Sequence, residues 1–259
     1  MTKLMMFYNN ITPLSRETHK KWKFKATTDY AFAKDVHLTP LAGSEFAIAS
    51  RNYPIVFASN KDDQNKENFF PVAILSLIES KNFFVDAANR WLENAYIPAF
   101  IRRYPFMLAG KADAEELSVC VDTESKMFNE FLGTELFNDD GSVSPFLEDR
   151  IRFLNGFKGE MERTQQFVTK LVDSELLVKK TLEVTSANGQ NARLQDFWMV
   201  DEEKFNKMNG DQLVKFHRKG FLSWIVIHLL SLNNLPPLLN NQMKNQPIAA
   251  PKADKTETH

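Results

Sequence analysis

The alternation of hydrophobic and polar positions divides the chain into a strand-rich first half and a mostly helical second half. Asn52 to Phe57 is entered through Pro54, which suits the first residue of a strand or a sheet edge. Phe70 to Leu77 is apolar without a break, the pattern of a strand buried on both faces. The polar stretch 59–68 between them reads as a connection, and Glu79 to Asn82 as a loop of hairpin length leading into a third strand at Phe83–Val85. From Trp91 to Tyr104 the spacing becomes helical, with Pro98 in a first turn and Pro105 ending the helix. Phe106–Leu108 and Leu117–Asp122 return to strand.

The second half opens on a tight turn at Phe137–Gly141. Ser144 then caps a helix with Pro145 at its first position and Glu148 and Asp149 against its dipole. Leu147, Ile151, Leu154, Met161, Val168 and Leu171 recur at helical intervals and predict one long amphipathic helix over 145–173. Gly156 and Gly159 weaken it by about 1 kcal/mol each relative to Ala, and are expected at a close helix approach or a bend. Residues 182–185 and 193–200 flank Asn188-Gly189 and predict a hairpin. Helices follow over 201–218 and 220–232, the last stopped by Pro236-Pro237. Upstream, residues 1–25 read as a solvated basic arm, and Ser44 as the cap of a short helix carrying Phe46 and Ala49 inward. The expectation is a single α+β domain over 1–240, with a disordered polar tail at 241–259.

Composition narrows the function. The chain has 22 Phe against 9 Gly, which favours a packed aromatic core over a loop-rich secreted scaffold. With 32 basic and 33 acidic residues it lacks the cationic excess that nucleic acid demands. Its single cysteine, Cys120, cannot form an internal disulfide, and its setting among alternating strand residues reads as a buried structural thiol. The apolar run at the N-terminus is too short for a signal peptide, and Phe221–Leu232 is too short for the roughly 20 residues of a membrane span. These features predict a cytoplasmic protein without a membrane span.

No familiar catalytic chemistry is present. His217 and His228 lack an HxxxH, HExxH or CxxC partner, so no metal site is expected, and His228 reads as a satisfied core histidine. A calcium loop built on Asp139-Asp140-Gly141 would need a ligand where Leu147 stands, so a turn is the better reading. No GxSxG, GxxxxGK[ST] or GxGxxG occurs, and no cofactor is expected. The remaining candidate is Arg102-Arg103, set in an aromatic segment. On a helix adjacent side chains diverge by about 100°, so one arginine can reach solvent while the other turns inward. An inward guanidinium calls either for an internal carboxylate such as Asp86 or Asp122, or for an anionic ligand with Trp91 or Tyr96 as an aromatic wall. Trp91, Tyr96, Arg102, Arg103 and Tyr104 are therefore the candidate ligand-binding residues.

The order Asn52-Tyr53-Pro54-Ile55-Val56-Phe57, Phe70-Pro71-Val72-Ala73 and Asn82-Phe83-Phe84-Val85-Asp86 resembles the bacterial SapC family. So do Trp91 with Tyr96-Ile97-Pro98-Ala99 and Arg102-Arg103-Tyr104-Pro105-Phe106, the most specific piece. Leu136-Phe137 before Asp140-Gly141, the Asp201-Glu202 step and Leu213 through Gly220-Phe221 to Ser231-Leu232 continue the likeness, which spans about 35–240. The resemblance implies no catalytic residues, and its name implies association with a bacterial surface layer. Three functional readings follow. The first is a non-enzymatic cytoplasmic binding or accessory protein whose partner is a protein or a small anionic ligand. The second is a surface-layer or envelope-associated structural protein. The third is an enzyme acting on a small anionic or peptide substrate.

Overall fold

A computed structural model describes residues 7–62, 64–110, 117–185 and 191–244. In chain order its elements are β1 (Ile11–Pro13), α1 (Arg16–His19), β2 (Lys23–Phe24), β3 (Leu38–Pro40), α2 (Phe46–Ala49), β4 (Ile55–Lys61), β5 (Glu67–Ile74), α3 (Ala99–Arg102), β6 (Phe106–Ala109), β7 (Ser118–Asp122), β8 (Phe128–Asn129) and β9 (Thr134–Glu135). Then come α4 (Pro145–Asp173), β10 (Leu177–Thr185), β11 (Asn191–Val200), α5 (Glu202–Asn206), α6 (Gly210–Arg218), α7 (Phe221–Ser231) and α8 (Leu235–Lys244). The fold is α+β and single-domain. Its main sheet has the order β10-β11-β4-β5-β3, and two smaller sheets have the orders β1-β7-β6 and β8-β2-β9.

The main sheet explains the unbroken apolar run. Ile55, Phe57, Ala73 and Leu75 face the large core shared with α4 and α7, whereas Val56, Val72 and Ile74 face a second core with Leu238 of α8. Side chains alternate along a strand, so a sheet covered on both faces needs apolar residues at every position. The polar residues between β4 and β5 are not a long connection. The two strands pair from Ile55↔Ala73 out to Lys61↔Glu67, so half of that stretch is ladder and only residues 62–66 turn. Backbone pairing has overridden polarity there, because an exposed hairpin end needs no apolar face.

The long helix occupies Pro145–Asp173, and Ser144 Oγ accepts from Leu147 N–H at 3.2 Å. Gly156 and Gly159 have open space where a Cβ would stand, so they mark no close approach. That role falls to Gly43, where a Cβ would lie 2.3 Å from the Trp224 ring. Its N–H donates to Thr164 Oγ1 at 2.8 Å, which ties this loop to α4. Gly141, at φ 83°, closes the predicted turn, its N–H donating to Asn138 O at 2.8 Å.

Several expectations are corrected. Residues 7–25 are no solvated arm: Phe7 and Tyr8 are buried, β1 pairs with β7, and Trp22 and Phe24 pack against Phe106 and Leu147. Ser44 lies within a 3₁₀ turn ahead of α2, while Phe46 and Ala49 are fully buried as expected. Phe83–Val85 makes only a bridge, Val85↔Trp91, because this segment spends its polar groups on side-chain and loop bonds. Trp91–Tyr104 holds a single helical turn, α3, since Pro98 starts it and Pro105 follows. Residues 201–218 break into α5 and α6, the latter opened by an Asn209–Gln212 capping box. Pro236-Pro237 opens α8 instead of ending a helix, as proline does in a first turn. α8 continues through 241–244 of the expected tail, while residues 245–259 and Asn188-Gly189 lie outside the described residues. Phe221–Asn240 is thereby a helical stretch of 20 residues with mean hydropathy 1.3, long and apolar enough to cross a membrane. Here Phe221, Trp224, Ile225, His228 and Ser231 are buried against the sheet.

His228 explains how α7 is held there. β11 and β4 pair at Trp198↔Phe57, and two residues further along each strand the imidazole stands between them. Val200 N–H donates to His228 Nε2 at 3.0 Å, which places the ring proton on Nδ1, where it donates to Ile55 O at 2.9 Å. Ser231 Oγ accepts from Ile55 N–H at 3.0 Å and donates to His228 O at 2.6 Å. Burial lowers the His228 pKa to about 4, so the ring is neutral at pH 7.

Replacing His228 with Leu leaves Ile55 O and Val200 N–H without partners and should cost about 2–5 kcal/mol, read from urea denaturation. The unfolded histidine binds its proton near pH 6.5 and the folded one only near 4. The unfolded state therefore carries more protons between these values. Stability should be full above about pH 6.5 and fall by up to about 3 kcal/mol toward pH 4. His228→Leu should lack that part of the slope.

Candidate functional site

Each of the five candidate residues follows from the short turn of α3 and the irregular segment before it. Pro98 ends an extended approach, the chain makes one helical turn, and Arg102 and Arg103 leave it in different directions. Arg102 is exposed and Arg103 half-buried.

Arg102 closes over an internal network. Its Nε donates to Ile97 O at 2.9 Å and its Nη2 to Tyr96 Oη at 3.0 Å. Tyr96 donates in turn to Glu45 Oε1 at 2.8 Å. Glu45 is buried and also accepts from Ala99 N–H at 2.7 Å and Ala42 N–H at 3.0 Å. One carboxylate thus fixes the loop before α2 to the start of α3. Burial and then the Glu45 carboxylate push the Tyr96 hydroxyl up to about 12, so it stays protonated at neutral pH.

Arg103 turns toward α4. Its guanidinium carbon lies 4.0 Å from the Phe100 ring centroid, 5.6 Å from Tyr8 and 5.9 Å from Phe157, a cation held over aromatic faces. Burial lowers its pKa, opposed by the Tyr8 hydroxyl, and a guanidinium keeps its charge in any case. The Tyr8 hydroxyl lies within hydrogen-bonding reach of Arg103, and the two carboxylates expected for it serve other groups. Asp86 pairs with Arg90 at 3.0 Å, and Asp122 accepts from the N–H groups of Asn9 and Asn10 and from Tyr104 Oη at 3.2 Å. Its aromatic walls are Phe100, Tyr8 and Phe157, not Trp91 or Tyr96.

Trp91 is a core residue against Tyr30 and Phe84. Tyr104 stacks on Phe32 at 4.1 Å, and burial pushes its hydroxyl up to about 12. Tyr96, Tyr104 and Arg103 border different depressions among the described residues. Tyr96 borders a depression of about 520 Å³ with Ile48, Arg51 and Asn94, Tyr104 a depression with Phe32 and Ser125, and Arg103 a third. The third is a groove of about 380 Å³ between α3–β6 and α4, lined by Phe100, Leu108, Leu117, Leu154, Phe157 and Met161 together with Gln165 and the ion pair Lys158–Glu162, whose Nζ and Oε1 lie 3.6 Å apart. Leu154 and Met161 were legible as the inward stripe of the long helix. Tyr8 and Phe157 carried no sequence signal, since only folding brings them to Arg103. Among the described residues no cluster of His, Cys, Asp and Glu could hold a metal ion. Cys120 is buried, and burial raises its pKa, which leaves it a poor nucleophile.

Glu45→Ala should destabilise the fold by about 2–4 kcal/mol, because two buried N–H groups and the half-buried Tyr96 hydroxyl lose their acceptor. Arg102→Ala, at the exposed end of the same network, should cost no more than about 1 kcal/mol. Urea denaturation of the two variants checks the ranking.

The family model for SapC matches residues 14–238. No curated protein and no solved structure matches the chain. The matched span runs from just after β1 to the first turn of α8 and takes in the main sheet, the β8-β2-β9 sheet, the β7 and β6 strands of the third, the α3 turn and the groove along α4; the chain belongs to the SapC family.

Proposed function

We propose that this chain is a cytoplasmic binding or accessory protein without catalysis of its own, and that its ligand is a small anion with an apolar body. The observation that carries the proposal is the groove along α4: a mostly apolar lining with a guanidinium held against aromatic faces, the Lys158 ammonium beside it being paired with Glu162. Its size falls in the range of about 300–1,000 Å³ usual for small-molecule sites. Apolar walls take the body of the ligand and the Arg103 guanidinium takes a carboxylate or phosphate head. Tyr96 and Tyr104 favour binding over catalysis, because both are pushed well above neutrality and neither is poised as an acid or base at pH 7. The single buried thiol suits a reducing compartment.

Isothermal titration with decanoate, a probe of this chemistry, tests the reading. Decanoate should bind the wild type, and Met161→Trp, which fills the groove from a half-buried position, should abolish binding with the melting temperature kept. Arg103→Met should weaken binding about tenfold or more. Absence of binding to the wild type, or equal binding by Met161→Trp, would sink the proposal.

A further inference from the structure

The groove leaves a second surface unexplained. Phe221–Asn240 contains no Asp, Glu, Lys or Arg, in a chain of which 25% of residues are charged. Part of this segment covers the core, but much of it is open. Val226 and Leu230 stand at i and i+4 and form an outward stripe on α7, 44% and 61% exposed, with Leu222 one turn earlier half-buried against the core. The stripe continues along the exposed, uncharged Asn233, Pro236 and Pro237. An ordinary solvated helix places charges on its outer face, so a stripe without any marks a contact surface.

The occupant is indicated by what stands at the Leu222 end. α6 closes with Lys215, His217 and Arg218, followed by Lys219 and the left-handed Gly220 that turns the chain into α7. Lys215, Arg218 and Lys219 are exposed. Arg163 of α4 joins this corner, donating to Lys219 O at 3.2 Å and lying 4.7 Å over the Trp224 ring. The acidic residue of α6, Asp211, is in its first turn, at the opposite end. A cationic corner joined to an uncharged apolar stripe is the chemistry that fits an anionic bilayer: basic side chains meet the headgroups and apolar ones enter the interface. A second copy docking stripe to stripe would bring no carboxylate from Phe221–Asn240 to the basic corner. We propose that the α6–α7 corner and the outward stripe of α7 form a docking surface for anionic phospholipid membranes, on which the folded chain lies without spanning them.

Flotation of the full chain tests this with vesicles of phosphatidylcholine alone and of phosphatidylcholine with phosphatidylglycerol. The chain should float with the phosphatidylglycerol vesicles and not with the neutral ones. Binding should weaken at about 1 M salt, where the Debye length is about 3 Å. Leu230→Glu, and separately the pair Lys215→Glu with Lys219→Glu, should each lower the bound fraction about tenfold at an unchanged melting temperature. Met161→Trp should bind vesicles as the wild type does, which separates this surface from the groove. Flotation no greater with phosphatidylglycerol than without it would overturn the proposal, as would both charge variants binding normally. A dimer in sedimentation velocity that Leu230→Glu dissociates would assign the stripe to a second copy instead.

Discussion

An imidazole does the work of a backbone rung. Where β11 and β4 would next pair beyond Trp198↔Phe57, His228 accepts from one strand and donates to the other, and Ser231 takes the remaining N–H of Ile55. Both strands stay satisfied although they diverge, and the divergence gives α7 its seat. A buried ladder group without a partner costs more than an ordinary hydrogen bond returns, so the sheet can open here only while the helix fills the gap. The aromatic core around Phe57, Phe167, Phe221 and Trp224 then closes on α7. Because the ring must remain neutral to accept from Val200, the same contact ties the fold to pH.

Glu45 plays the corresponding part at the other end of the core. Its carboxylate gathers two backbone N–H groups and a tyrosine hydroxyl, and so sets where the chain enters α3. From that one turn the two arginines part. Arg102 closes the network from outside, and Arg103 is carried across to the aromatic faces of Phe100 and Phe157. The functional reading rests on this division. In the proposed function Arg103 is the recognition feature, whereas Arg102 is part of the frame.

The groove and the α7 stripe use different chemistry on different parts of the molecule. A protein that takes an amphiphilic anion and lies on an anionic membrane would meet its ligand where such molecules collect. Membership of the SapC family is consistent with either surface and defines neither.

Local signals were legible wherever one interaction within a few residues decides the outcome. The Ser144-Pro145 start of α4, the turn at Gly141, the doubly buried β5 and the buried thiol of Cys120 all belong to this class, because capping, left-handed backbone and side-chain period act over short distances. The same reasoning separated Arg102 from Arg103 by the angle between adjacent helical residues. It failed where distant segments supply the partner. Trp91–Tyr104 has helical spacing, yet its polar groups are taken by Asn52 and Glu45, and the helix shrinks to one turn. Pro236-Pro237 reads as a stop until Leu238 finds the far face of the sheet and makes a new helix worth forming. The chain by itself determined an α+β fold, its long helix and the uncharged stretch Phe221–Asn240. Only the tertiary structure decided which aromatics surround Arg103 and which face of α7 stays open, because both depend on contacts between residues far apart in sequence.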